Sequence, residues 1–282
     1  MTGIIDVGGG LRDIYGSGVL DYCLDNKIKF GYILGISAGT ANLFTYAAGQ
    51  RGRTKRFYEN YAFRKEYMSF SNLLKGKNYL DLDYIYSGLS NEGGEDPFDF
   101  DAFEKYEGVA YIACTDAETG EQIYFDKKTV EKNNLTAFKA SCALPLVCKK
   151  YSVGGISCFD GGISNPVPVE KAFEDGCDKV VVILTLPSDH LKQPGISRHA
   201  FALIKNKYPG ISKCLTEYYR NYNDGVRRAL AYEKQGKVLV LAPNDCAGMK
   251  TLTRNREKMS ALYNRGYKDA EKIKDFTMGD LL

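Results

Sequence analysis

The chain has 282 residues and carries 38 Lys and Arg against 35 Asp and Glu, a formal net charge of +3. Its 44% hydrophobic and 26% charged residues are the balance of a folded globular protein, which excludes wholesale disorder and fibrous repeats. The longest apolar runs, Tyr32 to Ile36 and Val180 to Leu186, fall far short of the ~20 residues a bilayer-spanning helix needs.

No basic segment, apolar run and cleavage site open the chain, so the sequence predicts a protein that is not exported. Eight Cys without a CxxC pair predict reduced, buried thiols in a cytoplasmic protein, with neither a disulfide framework nor a zinc or other metal site.

In chain order, a strand is expected at 3–7, followed by three glycines and a helix at 18–26. A strand at 32–36 leads into helices at 38–48 and 54–65. Residues 76–107, with the acidic and aromatic stretch Asp81 to Glu107, read as a surface excursion or cap that includes a helix at 100–106. Strands follow at 109–115 and 122–125, a helix at 168–174, a strand at 180–186, helices at 198–205 and 212–235, a strand at 237–241 and a helix at 254–274. Strands apolar on both faces must be covered on both sides. Their alternation with helices predicts the α/β class: a three-layer α/β/α sandwich around a mainly parallel or mixed sheet, in one domain spanning 1–282.

Charge is unevenly distributed. Residues 192–268 hold 16 Lys and Arg against 5 Asp and Glu. Interleaved there are Phe201, Tyr208, Tyr218, Tyr219, Tyr222, Tyr232, Tyr263 and Tyr267. The pattern fits peripheral contact with an anionic membrane at its cytoplasmic face. It equally fits solvated helix faces whose aromatic residues turn inward. No nucleic-acid partner is expected.

Four features carry chemistry. Gly35-Ile36-Ser37-Ala38-Gly39 matches G-x-S-x-G, in which flanking glycines permit a sharp strand-to-helix turn that presents the serine hydroxyl to a cleft. The alternative is a tight turn with an idle serine. Gly8-Gly9-Gly10-Leu11-Arg12 follows the first strand, and its main-chain amides suit either a phosphate cradle in a nucleotide-binding protein or an oxyanion hole. A dinucleotide-binding G-x-G-x-x-G needs Gly at 13, where Asp13 stands, and no P-loop Gly-Lys-Ser/Thr is present. Asp160-Gly161-Gly162 ends an apolar segment, so its carboxylate can enter a crowded cleft and act as a general base. The order Ser37, Asp160, His190 also matches the chain order of α/β-hydrolase triads, though both His190 and His199 sit in polar surroundings expected at the surface.

Together these motifs resemble the patatin-like phospholipase family, above all its compact bacterial single-domain members. The likeness rests on the glycine loop ending in Arg12, the elbow at Ser37, the distant Asp160-Gly161-Gly162, and the small-residue block Ser141-Cys142-Ala143-Leu144-Pro145. It implies a Ser37–Asp160 dyad without histidine, and an oxyanion hole from Gly8, Gly9, Gly10 and Leu11. Arg12, Gly35, Gly39, Gly161 and Gly162 support it, and no metal or cofactor takes part. Family members cleave acyl esters of phospholipids, lysophospholipids or glycerides. Asp13, where the family usually has Gly, departs from the pattern.

Overall fold

The computed structural model describes residues 1–194 and 204–278; most of the helix expected at 198–205, with Phe201 and His199, lies outside them. Eight strands form one mixed sheet: β1 (Thr2–Asp6), β2 (Tyr32–Ile36), β3 (Val109–Asp116), β4 (Gln122–Asp126), β5 (Tyr151–Val153), β6 (Ile156–Asp160), β7 (Lys179–Ile183) and β8 (Val238–Leu241). Their order is β5-β6-β3-β2-β1-β7-β8, with β4 also paired to β3. The run β3-β2-β1-β7-β8 is parallel, while β4 and β6 meet β3 antiparallel and β5 meets β6 antiparallel.

Helices cover both faces. They are α1 (Ile14–Asp25), α2 (Ala38–Ala47), α3 (Arg53–Glu59), α4 (Phe70–Leu74), α5 (Phe100–Glu104), α6 (Thr136–Ser141), α7 (Val169–Glu174), α8 (Pro209–Glu233), α9 (Arg256–Asp269) and α10 (Lys272–Met278). Successive strand residues point to opposite faces, so Ile4, Ile33 and Val181 join the core layer with α1, α2 and α9. Their neighbours Ile5, Leu34, Val180 and Val182 join the opposite layer with Val169, Ala172, Tyr222 and Val226 of α7 and α8. This is the three-layer arrangement that two-sided apolar strands require.

The structure differs from the sequence reading in places with local causes. The hairpin β5–β6 was not anticipated, although Gly154 and Gly155, at φ 57° and 86°, supply the positive-φ turn between its strands. Residues 76–107 pack against the body of the protein and help to wall the cavity. Leu82, Ile85, Tyr86, Leu89, Phe98 and Phe103 from this stretch are buried in the first layer. Asp96 ties it down through Arg56, at 2.8 Å. Among residues 204–268 the tyrosines are buried or half-buried, with Tyr222 of α8 and Tyr263 of α9 inside the core layers.

α1 and α9 approach so closely that glycine is required where they cross. A Cβ on Gly18 would lie 2.1 Å from the Tyr263 carbonyl oxygen, and one on Gly266 would lie 2.0 Å from that of Tyr15. Buried hydrogen bonds from Tyr15 to Asp269 (3.0 Å) and from Tyr263 to Asp21 (2.8 Å) lock the crossing. Gly18→Ala and Gly266→Ala are each expected to lower the unfolding free energy by about 1–3 kcal/mol, the usual range for an overpacked contact, as read by denaturant titration. Unaltered midpoints in both variants contradict the close crossing.

Candidate active site

The register of β3 brings distant residues together. On β3, Ala113 pairs with Ile36 of β2, and the next residue, Cys114, pairs with Asp160 of β6. Ser37, which follows Ile36, and Asp160 therefore lie at the same level on the two strands that flank β3. The two side chains line one cavity, and Ser37 lies close enough to the Asp160 carboxyl to lower its pKa.

Ser37 has φ 54° and ψ −130°, a left-handed conformation that costs a non-glycine residue about 1–3 kcal/mol. The surrounding contacts impose it. The Ser37 N–H donates to Ser141 Oγ at 2.9 Å, and that hydroxyl donates to the Ala113 carbonyl at 2.7 Å. Gly35 is the penultimate residue of β2, and Gly39 stands in the first turn of α2. A Cβ at Gly39 would lie 2.3 Å from the Asp6 carbonyl oxygen, so the helix closes on β1 only because that position is glycine.

Asp160 is 4% exposed. Its N–H donates to the Ala143 carbonyl at 2.9 Å, and its Oδ1 accepts the Gly162 N–H at 2.8 Å, within the turn formed by Gly161 and Gly162. Burial raises its pKa to about 6, against the lowering hydrogen bonds from Ser37 and Gly162. The block Ser141 to Ala143 thus braces both members of the pair. In the sequence only its small residues before Pro145 hint at this.

The glycine loop runs past the same point, with φ values of 70°, 148° and 62° at Gly8, Gly9 and Gly10. Its amides are not equivalent, which corrects the expectation of four donors. Gly8 N–H donates to Asp6 Oδ1 at 3.1 Å, and Leu11 N–H donates to the Thr251 carbonyl at 2.7 Å. Gly9 and Gly10 are left with amides not engaged by any described residue. Thr185 and Thr251, which the sequence reading did not single out, fix the loop from outside: Thr185 Oγ1 donates to the Gly8 carbonyl at 2.7 Å. Arg12 Nη1 reaches Thr251 Oγ1 at 3.4 Å.

Beneath the loop lie two carboxyl groups, Asp6 and Asp13, each 0% exposed. Asn42 Nδ2 donates to Asp6 Oδ2 at 3.2 Å and to the Asp13 carbonyl at 2.9 Å. Burial raises the Asp6 pKa to about 6. For Asp13, burial and then the Asp6 charge push it well above the ordinary carboxylate range. Both Asp13 carboxyl oxygens are buried without a hydrogen-bond partner among the described residues, which favours the protonated form of this acid.

Ser37, Asp160 and the loop line one cavity of about 560 Å³, whose far wall is built by Phe57, Tyr67, Leu80, Tyr86 and Leu89. His190 is exposed, its N–H donates to the Pro187 carbonyl at 3.0 Å, and it does not line this cavity. The triad order Ser37, Asp160, His190 is thus not realised in space. Among the described residues no cluster of His, Cys, Asp and Glu could hold a metal ion.

The carboxyl pair sets a pH dependence of stability. A group with a raised folded pKa keeps its proton when the unfolded chain has released it, so stability falls as pH climbs above the unfolded value of 3.8. Asp13→Asn removes one such proton. Between pH 5 and the folded pKa of Asp13, the variant's unfolding free energy is expected to decline less steeply, by about 1.4 kcal/mol per pH unit. Parallel slopes in urea titrations across this range overturn the raised pKa of Asp13.

Comparison with known proteins agrees with this architecture. The Patatin-like phospholipase family profile matches residues 7–173, and a domain of unknown function, DUF6363, matches 208–276. Protein YjjU of Escherichia coli (strain K12) is 30% identical over 193 residues, which cover 66% of this chain and 52% of YjjU. The chain thus spans about half the length of that curated relative. The crystal structure of VipD from Legionella pneumophila superposes with a TM-score of 0.53 at 11% identity, covering 97% of this chain and 66% of VipD, a likeness of fold. With more than half its length matched by the family profile, the chain belongs to the patatin-like phospholipase family.

Proposed function

We propose that this protein is a serine acyl hydrolase that cleaves acyl esters of phospholipids, lysophospholipids or glycerides through a Ser37–Asp160 dyad. The observation that carries the reading is the Ser37 hydroxyl against a buried carboxyl at the wall of a largely apolar cavity. Asp160 accepts the Ser37 proton as Oγ attacks the ester carbonyl. The tetrahedral oxyanion takes hydrogen bonds from the Gly9 and Gly10 amides, each such donor being worth about 10²–10³ in rate. Collapse breaks the bond to the alcohol, which leaves with the proton from Asp160. Water then attacks the acyl-enzyme, giving its proton to Asp160, and the fatty acid departs as Ser37 recovers its own.

A pKa of about 6 suits both halves of this cycle: the carboxylate is ionised at neutral pH yet more basic than an ordinary aspartate. The loop faces the same apolar cavity with only part of its amides unengaged, which favours an oxyanion over a nucleotide phosphate. The two profile-matched segments act as one unit in this reading, since Thr251 holds the glycine loop and β8 extends the sheet beside β7.

Ser37→Ala and Asp160→Asn are each expected to lower kcat/KM on a p-nitrophenyl acyl ester by about 10³-fold or more, and His190→Ala to leave it unchanged. A fluorophosphonate probe is expected to label the wild type and not Ser37→Ala. The acid limb of the wild-type pH profile is expected near pH 6, activity rising as Asp160 loses its proton. Full activity in Asp160→Asn with loss in His190→Ala reverses the assignment of the base.

Lipid contact is proposed for a rim other than residues 192–268. Phe70 (76% exposed) and Leu74 (91%) project from α4, near Lys75 and Lys77, and Leu146 (56%) stands on the cavity wall. The stretch is joined to that wall by the Leu80 N–H donating to the Val147 carbonyl at 3.5 Å. Exposed apolar tips beside lysines suit an anionic lipid surface. Phe70→Ser with Leu74→Ser is expected to reduce cosedimentation with phosphatidylglycerol/phosphatidylcholine vesicles severalfold. Equal binding by the double variant removes this surface from the reading.

A further inference from the structure

Ser37 is the N-cap of α2, so the axis of that helix measures distance from the serine. Ala38, Ala41 and Asn42, from its first turns, line the cavity. Further along, Thr45 Oγ1 accepts a hydrogen bond from Arg53 Nη1 at 3.4 Å, and Arg53 lines the same cavity. At a rise of about 1.5 Å per residue, the step from Ser37 to Thr45 spans about 12 Å. The Arg53 side chain is 11% exposed and is fixed by polar neighbours. Its Nη2 donates to Ser90 Oγ at 2.7 Å and to the Asp96 carbonyl at 2.9 Å. Its Nε stands 4.0 Å from Asp96 Oδ1 and has no hydrogen-bond partner among the described residues. Ser90 and Asp96 line the cavity too, and Asp96 is held from its other side by Arg56 at 2.8 Å.

The lining that α2, α3 and the segment beside them contribute is chiefly apolar, with Ala41, Phe57, Tyr86 and Leu89. That stretch suits a hydrocarbon chain, whereas the wall formed by Arg12 and Lys192 does not. An extended chain advances about 1.2 Å per bond, as follows from ~3.3–3.6 Å for the three bonds of an extended residue, so 12 Å holds about ten bonds. Each methylene placed there leaves water for an apolar wall. The next one meets the guanidinium. Burial already pushes the Arg53 pKa below its ordinary value, against the pull of Asp96, and a methyl group pressed on it would remove more of its hydration.

We propose that Arg53, held by Ser90 and Asp96, is a charged stop at the end of an acyl arm that runs from Ser37 along α2. The stop makes esters of medium-length acyl chains, of about ten carbons, the preferred substrates over long-chain ones. This rests on the acyl-hydrolase reading above.

Hydrolysis of p-nitrophenyl butyrate, octanoate, decanoate and palmitate reads the arm through kcat/KM. Each methylene buried short of the stop is expected to raise kcat/KM by up to about fourfold, so the series climbs to decanoate, and palmitate is expected to reach no higher. A climb that continues from decanoate to palmitate overturns the stop. Arg53→Met, which keeps the length of the side chain and removes its charge, is expected to raise the palmitate-to-decanoate ratio about tenfold or more, the gain from burying two further methylenes. An unchanged ratio in an Arg53→Met protein that melts normally overturns the role of Arg53. Where that variant does not fold, Ala41→Leu carries the test, because it narrows the arm one turn of α2 from Ser37. It is expected to lower the decanoate-to-butyrate ratio about tenfold or more, and an unchanged ratio overturns the course of the chain along α2. Calorimetric binding of octanoate, decanoate and palmitate to Ser37→Ala reads the arm without turnover, and affinity is expected to stop rising at decanoate. Absence of ester cleavage in the wild type, with that break intact, overturns the hydrolase reading and leaves the stop standing. Cleavage with an affinity that rises through palmitate does the reverse.

Discussion

Everything at the candidate site depends on a short relay of hydrogen bonds from the middle of the sheet: the Ala113 carbonyl accepts from Ser141 Oγ, which accepts from the Ser37 N–H. Without a fixed partner for that amide, a serine at φ 54° would relax to an ordinary turn. Two residues after Ser141, the Ala143 carbonyl holds the Asp160 amide. The end of α6 is therefore the common support of a strained residue and a buried acid, with β3 as the ruler that sets their separation.

The site concentrates features that oppose stability. Asp6, Asp13 and Asp160 are all buried carboxyl groups; Asp6 and Asp160 accept hydrogen bonds, while the Asp13 carboxyl oxygens have no partner among the described residues. Arg12 adds a buried Nε without a partner among them, and Lys192 an ammonium that burial and the Arg12 charge disfavour. The fold carries these costs with an apolar core on both faces of the sheet and with the glycine-permitted contact of α1 with α9. Such concentrations of perturbed ionisable groups in one cleft are the pattern expected where a protein binds and transforms a ligand. The acid pair beneath the loop has a further consequence. Because Asp6 engages the Gly8 amide, the loop's hydrogen bonding is divided between its own support and the cavity, and Gly9 and Gly10 remain for a ligand.

Much of this was legible from residue patterns. The elbow glycines at 35 and 39, the triple glycine at 8–10 and the two-sided apolar strands each encode a local conformation, and the structure has the corresponding turn, loop and covered sheet. The β5–β6 hairpin was equally encoded in Gly154 and Gly155, yet strands of three and five residues give too short a pattern to stand out. Other features depend on neighbours remote in sequence. Residues 76–107 looked polar enough for a surface excursion, but their scattered aromatic residues are drawn into the core layer beside α2 and α6. The tyrosines of 204–268 looked available to a membrane, yet they are buried or half-buried.

By itself, the sequence determined the α/β class, the strand-to-helix turn at Ser37 and the chemical types available for catalysis. These follow from backbone preferences and periodicities that act over a few residues. Only the tertiary structure decided that Asp160 and not His190 lines the cavity that Ser37 lines, that two of the loop amides are already engaged, and that Lys192 and Arg12 share that cavity. Those relations depend on strand register and on which side of the sheet each crossover packs, and no segment of the chain encodes them alone.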